Sequence, residues 1–146
     1  MIKEKLEEIM RQTFHDCKSS SSEVAAKASY INTLAHQCCK EMDRLISDFG
    51  KEFILTMAPL SSSLQHDGSS MGNFNYKDLY NSRQGKYISW FNTQCYDSFS
   101  EETFDLIIKN GYPANKIVMG MESGQFDEKT FKNAITTLIN LKNKYK

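Results

Sequence analysis

Three apolar runs, set about 30 residues apart, constrain this chain more than any other feature. They are Phe53 to Met57, Tyr87 to Gln94 and Lys116 to Met121. Each is short, rich in β-branched, aromatic or methionine side chains, and bounded by turn residues, so each reads as a buried strand. A helical pattern follows every run. Tyr76 to Ser82 forms a short helix closed by Gly85. Ser100 caps a second, with Glu101 and Glu102 in its first turn and Gly111 at its end. Asp127 opens the last, with Phe131, Ile135, Leu138 and Leu141 on its apolar face. Strand–helix repeated three times at this spacing is the βα unit, and apolar strands alternating with helices predict a parallel sheet with helices packed on it.

Right-handed crossovers bring the three strand exits to one edge. The first exit carries Met57, Ala58 and Pro59, the second Gln94, Tyr96 and Asp97, the third Met121 and Glu122. Polar groups where a buried strand gives way to a helix mark a site at the carboxyl edge of an α/β sheet. The stretch Ile88 to Asp97 is the richest, with Asn92, Gln94, Tyr96 and Asp97 crowding its end.

Ahead of these units lies helical sequence. Residues 1 to about 17 form an amphipathic helix, and Ser22 is a plausible N-cap for a longer one. Val24, Ala28, Ile31, Ala35, Cys38, Met42, Leu45 and Phe49 alternate four and three apart, an apolar seam ended by Gly50. Such a seam serves either a partner helix or the domain's own sheet.

Lysine plus arginine equals aspartate plus glutamate at 18 each, so no net field draws the chain to nucleic acid or an anionic membrane. No run approaches the roughly 20 apolar residues of a membrane span. The first ten residues are charged throughout and lack a secretory apolar region, which as written reads as cytoplasmic. Cys17, Cys38, Cys39 and Cys95 match no zinc or redox spacing and are expected as free thiols. On a helix His36 and Cys39 share a face, but a metal site needs three or four ligands, so neither a metal nor a cofactor is expected.

From about Met42 the chain resembles the second half of a glycoside hydrolase family 18 chitinase of the fungal type. MDRLISDFGKEFILTMAP resembles the helix after the fourth barrel strand and the fifth strand. GNFNYKDLY resembles the loop and helix that follow, ISWFNTQCYD the sixth strand and NGYPANKIVMGM the seventh. The resemblance implies a partial (β/α)8 TIM-barrel-like fold at 42–146, with 1–41 a helical segment outside it. It implies cleavage of β-1,4 links between N-acetylglucosamine units with retention, the sugar's own acetamide acting as nucleophile. Chitin or N-acetylglucosamine oligosaccharides are the implied partners. Tyr96 occupies the position of the family's acetamide-orienting tyrosine, and Gln94 and Asp97 match the polar positions around it. Met57 matches the floor of the site, Met119 and Met121 its apolar lining; Glu122 is the acid at the third exit. His66, Asp67 and Gly68 fall in the loop over the exits.

The sequence also departs from the family. The catalytic D-x-x-D-x-D-x-E pattern is absent, and neither Asp97 nor Glu122 matches the family's acid. Cys95 stands where an aromatic is usual and Asp97 where an amide is usual. The family is usually secreted. A barrel takes about 250 residues, and three parallel strands leave two edges open to association. The expectation is a chitinase-like fragment, inactive alone. Two alternatives stand beside it: a pseudoenzyme that binds chito-oligosaccharides without turnover, and an interaction protein working through the Val24–Phe49 seam.

Overall fold

A computed structural model describes residues 23–67, 74–122, 124 and 127–146, with side chains from residue 35 onward. The chain divides into two compact units, 1–30 and 31–146. The first expected helix and the cap at Ser22 lie outside the described residues, as do the side chains of Val24, Ala28 and Ile31.

The second unit is built from βα pairs. Helix α1 (Glu23–Phe49) leads into strand β1 (Leu55–Met57), then the single turn α2 (Ser62–Gln65) and α3 (Tyr76–Asn81). Strand β2 (Ile88–Gln94), α4 (Glu101–Lys109), β3 (Ile117–Gly120) and α5 (Glu128–Lys144) complete it. The boundary expected at 41/42 falls inside α1. The strands form one sheet in the order β1-β2-β3, and both pairings are parallel.

The capping chemistry read from the sequence holds the helices. Ser100 accepts from the Thr103 amide at 3.1 Å, and the Asp127 carboxylate from the Thr130 amide at 2.6 Å. Asn75 accepts from the amides of Lys77 and Asp78 at the start of α3. Gly85 sits where the turn after α3 doubles back. A Cβ there would lie 1.9 Å from the Tyr80 carbonyl oxygen, so glycine is the residue that lets the chain pass. Gly111, at φ +89°, ends α4 in the left-handed region, and the Lys77 ammonium donates to the adjoining Asn110 carbonyl.

The sheet has two unlike faces. Strand β1 pairs Leu55 with Ile88 but Thr56 with Trp90, so Ser89 is an extra residue in β2, a bulge. Past the bulge the alternation is regular. Phe91, Thr93 and Cys95 are buried and turn toward the helices. Phe91 joins Met42 of α1, Leu64 of α2, Leu79 of α3, Phe104 and Ile107 of α4, and Leu141 of α5 in one core. Tyr112 stands among them, edge-on to Phe91 with centroids 5.3 Å apart. The opposite face carries Ile54, Thr56, Trp90, Asn92, Gln94 and Val118, none of them fully buried. The apolar runs predict buried strands; among the described residues the helices cover one face of the sheet.

The long helix settles half of its seam. Met42 is buried, and Cys38 packs with it against the sheet's own core, so this part of the seam lies on the domain and not on a partner. Helix α5 departs from expectation. Of its predicted apolar face only Leu141 is buried, joined by Ala134, while Phe131, Ile135 and Leu138 are exposed.

Candidate functional site

All three strand exits lie at one sheet edge, with β2 in the middle. The exit of β2 is fixed on both sides by backbone bonds. The Gln94 amide donates to the Pro59 carbonyl at 2.8 Å and its carbonyl accepts from the Ser61 amide at 3.1 Å. On the other side the Cys95 amide donates to the Gly120 carbonyl at 2.9 Å. Ser61 and Ser98 join their hydroxyls at 2.8 Å across the same edge. A polar residue at this exit is therefore held by two neighbouring strands, as a positioned binding group requires.

Gln94 is the best placed of the sequence candidates. Its Nε2 donates to the Ala58 carbonyl at 2.5 Å. A carbonyl only accepts, so the contact fixes which end of the carboxamide faces Ala58 and leaves Oε1 as the group's acceptor. On its β3 side Gln94 is paired with Gly120, which has no side chain to fill the space. Behind it runs a polar line on the open face. Trp90 Nε1 donates to Asn92 Oδ1 at 3.0 Å, and Asn92 Nδ2 donates to Thr56 Oγ1 at 3.3 Å. Thr56 and Trp90 were not among the candidates. The period-two spacing of Trp90, Asn92 and Gln94 is the signal that finds Trp90, since it puts all three on one face; Thr56 joins them only through its pairing with Trp90.

Tyr96 lies in the turn just past β2 and is 41% exposed. Asp97 beside it and Glu122 at the exit of β3 are exposed, and Met121 is half-buried. Met57 and Met119 are placed otherwise than the resemblance suggested. Met57 pairs with Phe91 and Met119 with Thr93, so both share the helix-facing side. Both pack against the core beneath the edge. Their proximity to the site is that of a supporting layer. Of the loop residues, His66 and Asp67 are exposed, and Gly68 lies outside the described residues.

Cys95 is fully buried, and burial pushes its thiol up to about 11, against a smaller opposing pull from the Gly120 backbone. It is a packing residue, not a nucleophile. Cys38 is likewise pushed up to about 11, by burial first and then by Cys39. Among the described residues no three His, Cys, Asp or Glu side chains come together as a metal site would need. A cleft of about 450 Å³ opens at the opposite end of the sheet, lined by Lys51, Lys86, Lys116 and Tyr87 among others. It does not touch the carboxyl edge.

No family model matches the chain, and no curated protein matches it. Among solved structures it is similar to a fungal endo-β-N-acetylglucosaminidase from glycosyl hydrolase family 18, with 31% identity and a TM-score of 0.61. The likeness covers 74% of this chain and 40% of that one, so the chain spans well under half the length of its neighbour. With the parallel sheet and its helices, the match identifies the architecture as α/β, a partial TIM-barrel-like fold of the kind found in glycosyl hydrolase family 18.

Proposed function

We propose that this chain forms the substrate-positioning part of a chitinase-like glycoside hydrolase site, and that it binds N-acetylglucosamine oligosaccharides without hydrolysing them alone. The observation that carries this is the β2 exit, where Gln94 is held by Ala58, Pro59 and Ser61 on the β1 side and the Cys95 amide holds the chain to Gly120 of β3. Tyr96, exposed two residues on, is a phenol able to donate to the acetamide carbonyl while its ring stacks on the sugar. Asp97 and Glu122 add carboxylates that accept from sugar hydroxyls, and Met121 an apolar patch. The fungal neighbour's activity on N-acetylglucosaminide links favours the same sugar here.

Hydrolysis with an acetamide nucleophile also needs a carboxylic acid to protonate the leaving oxygen. The family pattern that supplies it is missing from this sequence. The expected behaviour is saturable binding of chitotetraose in calorimetry with no reducing ends released. Tyr96→Phe should weaken that binding about tenfold, the worth of one hydrogen bond. Absence of any heat at millimolar sugar would remove the reading. Turnover by the purified chain, lost in Tyr96→Phe, would keep the site but overturn the claim of inactivity.

A further inference from the structure

We propose that the cleft at the amino edge of the sheet is a second ligand site, and that it takes a small molecule carrying a di- or triphosphate group. The proposal goes beyond the sugar site and stands whether or not the β2 exit binds sugar.

Each of the three strands is preceded by a lysine. Lys51 lies in the turn that leads into β1, closed by the bond from the Phe53 amide to the Gly50 carbonyl at 3.2 Å. Lys86 lies in the 3₁₀ turn Arg83–Tyr87, directly ahead of β2. Lys116 ends the 3₁₀ turn Ala114–Lys116, directly ahead of β3. Parallel pairing brings the strand starts to one edge. There the lysines line a single cleft of about 450 Å³ together with Phe53, Tyr87 and Ser89. No carboxylate stands in that lining, and Glu52, next to Lys51 in the chain, is outside it.

The charge of this cleft is left uncompensated. Arg83, Lys132 and Lys144 each meet a carboxylate, at 2.7, 2.6 and 2.6 Å. Among the described residues the cleft lysines form no ion pair. Two of them are held instead by uncharged groups. Lys116 donates to the Ile88 carbonyl at 2.6 Å and lies 5.9 Å from the centre of the Tyr80 ring, and Lys86 lies 5.2 Å from that of Tyr87. A carbonyl and an aromatic face hold an ammonium in place without neutralising it. An ammonium has three donors, so donors remain on Lys116 for a ligand. Positive and negative residues balance over the whole chain, so this is a local concentration of charge. Like charges around one cavity repel, and an anion of matching charge relieves the repulsion. A di- or triphosphate concentrates several negative charges on adjacent oxygens, and lysine binds such groups as a point charge. No guanidinium fork is present in the lining to grip a planar carboxylate side-on. Phe53 and Tyr87 offer apolar surface to the body that carries the phosphates, and Ser89 a hydroxyl. The volume is within the range of small-molecule sites.

The probe is sodium tripolyphosphate, titrated at low salt into the full 146-residue chain. Calorimetry should show saturable one-to-one binding, and amide resonances should move at Tyr87 and Ser89 but not at Gln94. Lys51→Met and Lys86→Met should each weaken binding about tenfold. Both side chains are exposed, so the circular dichroism of the chain should not change. Lys142→Met, at an exposed position on α5, should bind the probe as the parent chain does. No saturable binding at millimolar probe would overturn the site. Equal weakening by Lys142→Met would show a diffuse effect of surface charge and would overturn it as well. Citrate bound as tightly as tripolyphosphate would overturn the assignment to phosphate.

Discussion

Tyr112→Phe should stabilise this protein. Tyr112 is 1% exposed, and its hydroxyl has no hydrogen-bond partner among the described residues. The ring is well held, with Tyr80 at 5.2 Å, Phe91 at 5.3 Å and the Lys77 ammonium 4.9 Å from its centroid. Phenylalanine keeps those contacts and deletes only the oxygen. An unpaired buried hydroxyl costs about 1 to 3 kcal/mol of desolvation. Allowing for a slightly poorer fit, the net gain is about 1 kcal/mol, a rise of about 3 °C in Tm for a domain of this size. The pH dependence gives a second signature. Burial foremost, with the Asp67 carboxylate adding, holds the phenol above its usual range. The folded state then binds more protons than the unfolded state above about pH 10, so stability falls as pH rises through that window. The Phe variant lacks this loss, and the difference between the two proteins should widen from pH 10 to 11. Thermal melts at pH 7 and across the alkaline range measure both effects. A Tm lowered by 3 °C or more at pH 7 would show that the hydroxyl is satisfied and would refute the reasoning.

Two other outcomes follow from the packing. Gly85→Ala brings a methyl group 1.9 Å from the Tyr80 carbonyl oxygen and 2.8 Å from that of Leu79; a loss on the order of 3 kcal/mol is expected in urea unfolding, and a wild-type midpoint would contradict the turn geometry. Cys95, held at about 11 by burial, contributes stability that is complete below its ordinary pKa of about 9 and is lost as pH rises toward 11. Its thiol should resist alkylation in the native protein at pH 8, and Cys95→Ala should flatten the decline between pH 9 and 11; rapid native-state labelling would show the burial to be wrong.

The sequence was most informative where one physical rule acted alone. Apolar runs bounded by turn residues located all three strands to within two residues. Ser100 and Asp127 marked helix starts because a side-chain oxygen there meets an otherwise orphaned amide. The faces were harder to read. Ile117 to Met119 is apolar at every position and Leu55 to Met57 is only three residues long with Thr56 its one polar group, so period two carries little signal in them, and Met57 and Met119 could be assigned to the helix side only from their partners in β2. The stripe of α5 misled for a related reason. Apolar periodicity says that a face is to be covered but not what covers it, and here Leu141 meets the core while Ile135 and Leu138 do not. At the candidate site, the positions of Gln94, Tyr96 and Asp97 at the sheet edge followed from topology. The donation from Gln94 to Ala58, which leaves Oε1 as the acceptor, needed the three-dimensional register.

The single extra residue at Ser89 sets the phase of everything downstream in β2. Ile88 is buried against the helices. Strict alternation from it would send Trp90, Asn92 and Gln94 into the core as well, three polar-bearing side chains among Leu, Phe and Ile. The inserted residue inverts the count, so that Phe91, Thr93 and Cys95 take the core and the amides take the open face. Identity and orientation are thus encoded separately along this strand. The residue types at its exit say which groups are offered, and one residue five positions upstream of Gln94 says to which side they are offered. A change of strand length on either side of that point would act on the site as a mirror does, exchanging its inside for its outside without altering a single residue in it.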